Sequence, residues 1–172
     1  MSEPQPEVPP EVLAYLRGPT EESLQFDFLI GEWRVEGRRF SPAGEQRYTG
    51  SWRAQYLQGK RMVMDDFVVH GPSGQEVAGF VTLRTFSPQT RRWEMAGMPP
   101  LQPALNGKWF GHLVNGEMQL EAEVPGPNGQ VVKSRIRFFG IEANRFEWEN
   151  HVSLDQGANW MKVASLVAFR ID

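Results

Sequence analysis

The segment Phe26-Asp27-Phe28-Leu29-Ile30-Gly31-Glu32-Trp33 gives the strongest indication of the fold. A short apolar run ends at Gly31. From Trp33 onward the chain alternates, with Val35 on one side and Arg34 and Glu36 on the other. Such alternation is typical of a strand with one buried face. We interpret Trp33 as a large ring that plugs one end of a β-barrel, which indicates a container without indicating its contents.

Beyond Gly31 the chain consists of strand-length segments separated by turn signals. Asn115-Gly116, between two alternating runs, predicts a two-residue hairpin because both residues tolerate positive φ. No interval could hold a crossover helix, so neighbouring strands should pair antiparallel, and closing the sheet removes its two exposed edges. The prediction is an all-β fold, a single antiparallel up-and-down β-barrel of about ten strands, with a two-sheet sandwich as the alternative. The predicted strands are 31–40, 46–57, 60–70, 76–87, 91–98, 107–115, 117–124, 130–139, 143–152 and 159–170.

The sequence divides into an N-terminal tail with a possible short helix, residues 1–18, and a barrel domain, residues 19–172. Four prolines within residues 1–10 favour a disordered tail. Residues 11–17 could form about two helical turns before Gly18-Pro19 ends them. Residues 20–29 predict a short helix or turn that closes one end of the barrel.

Composition excludes several classes of function. The chain of 172 residues has a net charge of −3, which gives no overall attraction to nucleic acid or to an anionic membrane. It contains no cysteine, which excludes disulfides, thiolate catalysis and cysteine-ligated metals. No apolar run is long enough to span a membrane, and residues 1–10 lack the features of a secretory signal. We therefore expect a cytoplasmic protein.

The opening segment is similar to the Gly-x-Trp opening of lipocalin-like (calycin) barrels. It resembles more closely the Phe-Asp-Phe-x-x-Gly-x-Trp opening of bacterial lipocalin-like families of uncharacterised function, and the late turn from Asp155 to Trp160 adds to that resemblance. The resemblance implies a lipocalin or fatty-acid-binding-protein-like barrel. It also implies that an Arg of the last strand packs across the Trp of Gly-x-Trp, and Arg170 and Trp33 are the matching residues here. That contact would close the barrel and is structural.

Alternation also predicts a lining for the barrel interior. The face of the second segment that carries Tyr48, Trp52 and Tyr56 should point inward, whereas the face of the third segment that points inward stays ambiguous. We expect a cavity that binds a small, mainly apolar or amphipathic molecule through seven side chains: Tyr48, Trp52, Tyr56, Trp93, Met95, Phe138 and Trp148. The alternative is a barrel filled by its own side chains, with a structural role as a homodimer or larger homo-oligomer.

An acid–base enzyme that uses the same cavity is a further alternative. Carboxylates such as Asp65 and Asp66 and the phenols of Tyr48 and Tyr56 could serve it, but no nucleophile motif, phosphate loop or metal-binding string is present. We therefore assign no catalytic residue, no metal ligand and no cofactor. Arg135 and Arg137 share a face opposite Ile136 and Phe138, so alternation predicts that they point outward.

Haem binding is the remaining alternative. A resemblance to the nitrobindins, ten-stranded lipocalin-like barrels, would imply haem held by one late histidine. His151 is the only late histidine, and alternation turns it outward while Trp148 and Asn150 turn inward. The segment 99–106, with three prolines, is either a flap over an open end or a stiff connection between two strands.

Overall fold

The computed structural model describes residues 7–101 and 107–171. Every strand pairs antiparallel with its neighbours in sequence, and β1 pairs with β10 to close the barrel. The predicted all-β, ten-stranded up-and-down barrel is thereby confirmed, and the sandwich alternative is wrong. The strands are β1 (Gly31–Ser41), β2 (Gly44–Leu57), β3 (Met62–His70), β4 (Glu76–Ser87), β5 (Arg92–Met98), β6 (Lys108–Val114), β7 (Glu117–Pro125), β8 (Val131–Glu142), β9 (Arg145–Ser153) and β10 (Met161–Arg170).

Turn chemistry explains where the strands end. Between β6 and β7, Asn115 and Gly116 have φ values of 51° and 79°, so both occupy the left-handed region. Val114 and Glu117 pair directly on either side of them. A two-residue turn of this kind matches the right-handed twist of the strands that it joins, which is why the Asn-Gly pair predicted this hairpin.

The segment before β1 closes one end of the barrel. A short helix, α1 (Pro10–Leu16), carries no buried side chain. It rests on the outside through Tyr15, whose hydroxyl donates to Gln58 Oε1 at 2.8 Å. Two 3₁₀ turns follow, Glu22–Leu24 and Asp27–Leu29, and they bring Phe26 and Leu29 fully inside. The part of this segment that fills the barrel end is therefore the pair of 3₁₀ turns, which we call the plug.

The structure resolves which face of β3 points inward. Val63 and Asp65 are buried, whereas Asp66 is exposed. Asp65 is only 1% exposed, so β3 places a carboxylate inside the barrel. Arg135 and Arg137 lie on the outer face, as alternation predicts, and each has a carboxylate partner across the strands. None of the described helices is long and apolar enough to cross a membrane.

The turn between β9 and β10 is built around Asp155. The Asp155 carboxylate accepts hydrogen bonds from the backbone N–H and the side-chain amide of Asn159, at 2.8 and 2.7 Å, and from the Ser153 hydroxyl at 2.7 Å. Trp160 completes the turn, because its indole N–H donates to the Gly157 carbonyl at 3.1 Å. These hydrogen bonds, led by that of the Asn159 backbone, lower the pKa of Asp155 to about 2.

This turn should make the free energy of unfolding depend on pH in the acidic range. Because the pKa of Asp155 is lowered in the fold, the carboxylate contributes fully to stability at pH values above its ordinary pKa of 3.8. That contribution is lost as the pH falls towards 2. We expect the stability of the native chain to fall more steeply than that of Asp155→Ala between pH 5 and pH 2, as measured by urea unfolding. Parallel pH profiles for the two proteins would contradict this role for the carboxylate.

Candidate ligand-binding site

A cavity of about 300 Å³ lies inside the barrel on the side away from the plug. Its wall is mostly aromatic and aliphatic, with a few polar groups. Tyr48 and Arg39 reach it from the far halves of β2 and β1, beyond the level of Trp33. Asp65, Arg84, Trp109, Asn150 and Ala164 also line it.

Five of the seven predicted lining residues reach this cavity: Tyr48, Trp52, Met95, Phe138 and Trp148. The structure places the other two at the plugged end. Trp93 is fully buried, its ring lies 4.7 Å from that of Phe26, and its indole donates to Gln25 Oε1 at 2.9 Å. The hydroxyl of Tyr56 donates to Asp27 Oδ1 at 3.0 Å. Trp93 and Tyr56 therefore pack against the plug and do not line the cavity.

A buried ion pair forms the polar part of the cavity wall. Arg84 of β4 and Asp65 of β3 are 3% and 1% exposed. Arg84 Nε and Nη2 donate to the two carboxylate oxygens of Asp65 at 2.7 and 3.0 Å, and the indole of Trp52 donates to Asp65 Oδ2 at 2.7 Å. The carboxylate thus accepts three hydrogen bonds, one of the few arrangements in which a buried charge is well satisfied.

The guanidinium of Arg84 also joins the cavity to the plug. Its carbon Cζ lies 4.7 Å from the ring centroid of Phe26 and 5.5 Å from that of Phe138, within the range of cation–π contacts. Its Nη1 contacts the sulfur of Met95 at 3.2 Å. The charge of Arg84 is therefore held between Asp65 and aromatic faces.

Sequence analysis missed Arg84 because β4 has a misleading pattern. Val81 and Leu83 look like its core face, but they are 41% and 43% exposed. The polar face, with Thr82 and Arg84, is the buried one. Asp65 would be the signal once its face of β3 is known to point inward, since a buried carboxylate is usually paired with a cation.

Two further polar groups line the cavity without carrying charge. Burial raises the pKa of the Tyr48 phenol, against an opposing effect of the Arg39 cation, so Tyr48 stays protonated at neutral pH. Asn150 accepts a hydrogen bond from the Ser134 hydroxyl at 2.9 Å through its side-chain oxygen. The phenol and the amide can each exchange a hydrogen bond with a neutral ligand group.

Trp33 and Arg170, which the resemblance to lipocalin-like barrels pairs as a closing contact, lie directly opposite each other on β1 and β10. The Arg170 Cζ is 4.2 Å from the Trp33 ring centroid. Arg170 Nη1 donates to the Ile30 carbonyl at 2.8 Å, and the Trp33 indole donates to the Leu29 carbonyl at 2.8 Å. Both side chains thus attach the plug to the strands.

The three histidines do not line the cavity. His151 lies on the outer face, where its Nδ1 is 4.0 Å from Glu149 Oε1. His70 Nε2 is 3.4 Å from the Ser51 hydroxyl, and His112 lies on the exposed face of β6. Within residues 7–101 and 107–171, no three His, Asp or Glu side chains cluster as metal ligands would. The flap predicted at 99–106 falls largely on residues 102–106, outside the described residues.

Similarity to known proteins is found in structure and not in sequence. No protein-family model matches the chain, and no curated protein matches it in sequence. Among solved structures, the chain is similar to Rv2717c from M. tuberculosis, with a TM-score of 0.63, 13% identity, and coverage of 90% of this chain and 99% of that one. It is also similar to the S-type phycobiliprotein lyase CPES from Guillardia theta, with a TM-score of 0.54, 9% identity and the same coverage. At these identities the similarity shows a shared fold.

Proposed function

We propose that this chain is a lipocalin-like binding protein that holds a small, mainly apolar molecule inside its barrel, without covalent chemistry. The observation that carries the proposal is the cavity of about 300 Å³ within a closed barrel. That volume lies at the lower end of the range for small-molecule sites, and the wall combines large apolar surfaces with a few polar groups, as such sites do. A barrel packed solid by its own side chains would leave no such space.

The proposed ligand is compact and carries at most a small neutral polar group. Trp52, Met95 and Phe138 supply flat and adaptable apolar surfaces. The Arg84 charge is neutralised by Asp65 inside the wall, so the cavity does not offer a free cation to a carboxylate ligand. Tyr48 and Asn150 remain to orient a neutral donor or acceptor.

The enzyme alternative receives less support from this geometry. A general base needs a lone pair directed at the substrate, with a pKa near the working pH. The Asp65 carboxylate instead accepts three hydrogen bonds from Arg84 and Trp52, which occupy its oxygens and hold it in place. His151, on which the haem alternative depends, lies on the outer face beside Glu149.

Filling the cavity tests the proposal. Ala164 lines it, so Ala164→Trp should occupy the space and weaken binding of the neutral fluorophore N-phenyl-1-naphthylamine at least tenfold in a fluorescence titration. Thr49→Trp, on the exposed outer face of β2, is the matched control and should leave the dissociation constant within threefold. Native mass spectrometry of the freshly purified chain should show a retained organic ligand or a one-to-one complex with the fluorophore. Equal affinity in both variants would refute an internal site.

A further inference from the structure

The barrel wall is incompletely paired between β6 and β7. These strands pair from Val114–Glu117 to Phe110–Glu121 and, among the described residues, no further. Beyond that point Trp109 and Lys108 continue to pair with β5. Residues 122–125 pair only with β8. The ladder between the two strands therefore stops short of the end of the barrel that is away from the plug, and we call this unpaired stretch the gap.

A groove of about 1020 Å³ on the outer surface reaches into this gap. Most of its lining comes from outward-facing side chains, as expected for a surface groove. Ala122 and Ser134, however, also border it, although both belong to the inward faces of β7 and β8 and are 6% and 3% exposed. The Ser134 hydroxyl bonds to Asn150, which lines the interior cavity. The outer groove and the interior cavity thus approach each other through the wall.

Trp109 lies between the two spaces. Its side chain lines the interior cavity, and its neighbours Lys108 and Phe110 line the groove. The edge of its ring lies against Gly107, where an added Cβ would be only 3.1 Å from ring atoms Cη2 and Cζ3. Glycine at this position leaves room for the ring, whereas the Cβ of another residue would crowd it.

Among the described residues, no hydrogen bond fixes the ring of Trp109. Its indole N–H is buried and has no hydrogen-bond partner within the described parts of the chain. The indoles of Trp33, Trp52 and Trp93, by contrast, each donate a hydrogen bond. Trp109 can therefore move without breaking such a bond, and movement would relieve an unsatisfied donor.

We propose that the gap between β6 and β7 is a side entrance to the barrel and that Trp109 is its gate. An apolar molecule would pass from the outer groove between Lys108 and Ala122 into the interior cavity. This inference rests on the proposed binding function, since an entrance requires an internal site. It adds the route and the residue that controls the rate of exchange.

Thiol accessibility tests the gap itself. Because the native chain has no cysteine, a single introduced thiol is the only one to react. Ala122→Cys and Ala54→Cys are well matched, since both alanines face inward and are 6% exposed, but Ala54 pairs with a neighbour on both sides. We expect a fluorescent maleimide to label Ala122→Cys at least tenfold faster. Equal rates in proteins with the same unfolding midpoint would overturn the proposal.

Exchange kinetics test whether ligands use the gap. Stopped-flow mixing with N-phenyl-1-naphthylamine gives association and dissociation rates. The maleimide adduct at Ala122→Cys should slow both at least tenfold, while the same adduct at Thr49→Cys, on the exposed outer face of β2 and outside the groove, should change neither. Labelling at Ala122→Cys without slower exchange would show a gap that is not the entrance and would overturn the proposal.

Trp109→Ala distinguishes a gate from an ordinary wall contact. A gate limits entry as well as exit, so the association rate should rise at least fivefold; because Trp109 also lines the cavity, the association rate, and not the dissociation constant, is the deciding measurement. A wall contact alone would raise only the dissociation rate, and that result would overturn the gate. If the fluorophore binds neither the native chain nor any variant, the proposed binding function fails. If it binds every variant with the association and dissociation rates of the native chain, only the side entrance fails.

Discussion

Asp65→Ala should be among the most destabilising single substitutions in the chain, with a loss of about 3–5 kcal/mol in the free energy of unfolding. The reason is the partner that it leaves behind. Arg84 is 3% exposed, and its guanidinium would lose two hydrogen bonds and its only close counter-ion among the described ion pairs. Trp52 would lose the acceptor of its indole N–H at the same time.

Urea unfolding at neutral pH measures this loss, and Glu121→Ala is the control. Glu121 pairs with Arg135 at 2.9 Å, but the two side chains are 68% and 53% exposed, so its removal should cost less than about 1 kcal/mol. The double variant Asp65→Leu with Arg84→Met removes both charges and should recover part of the stability, because no unpaired charge is left in the interior, although the Trp52 indole still lacks its acceptor. Similar losses for Asp65→Ala and Glu121→Ala would show that Arg84 is not held by Asp65.

Local pattern was sufficient to predict the fold. Asn115-Gly116 predicts a hairpin because its residues accept positive φ, and the short intervals between strands leave antiparallel pairing as the only connection. A meander of ten strands must then close or leave long edges exposed. Each of these inferences depends on residues close together in sequence, which explains why the strand boundaries agree with the structure to within a few residues.

Position along the barrel axis was harder to predict than the inward face. Alternation turns both Trp52 and Tyr56 inward, but it does not say which level of the barrel holds the plug. Phe26 and Asp27 take the space beside Trp93 and Tyr56, so these side chains meet the plug and not the cavity. That outcome depends on how the plug folds into one end of the barrel, and the periodicity of the strands carries no information about it.

The polar interior and the gap needed the three-dimensional structure for a different reason. The exposed apolar face of β4 reverses the usual pattern, so Arg84 was assigned to neither interior nor site. The pairing of β6 with β7 ends after Phe110 and Glu121, and the local sequence there continues the alternation of the strands without marking that end. Both features arise from register across strands, and they lie in the half of the barrel where we place ligand binding.

Trp33→Ala should cost about 3–5 kcal/mol in the free energy of unfolding, the usual range for truncating a fully buried large aromatic side chain. Its ring lies 4.7 Å from that of Phe146 and 4.2 Å from the Arg170 guanidinium, and its indole holds the Leu29 carbonyl of the plug. Removal of the ring leaves a cavity, and the paired strands around it cannot easily move to fill that space.

Arg170→Met separates the closing contact from simple packing, since methionine keeps apolar length and removes the charge. We expect a loss of at least about 1–2 kcal/mol, because the variant loses both the cation–π contact and the hydrogen bonds from the guanidinium to the Ile30 and Ala143 carbonyls. Arg34→Met is the matched control, because the Arg34 guanidinium lies 4.8 Å from the Phe169 ring on the same two strands but is 53% exposed. Its loss should be below about 1 kcal/mol by urea unfolding. Equal losses would show that Arg170 gains nothing from its position over Trp33.

Because Arg170 does not line the cavity, Arg170→Met should bind N-phenyl-1-naphthylamine with a dissociation constant within threefold of that of the native chain. Closure and binding would then be separable properties of the two ends of the barrel.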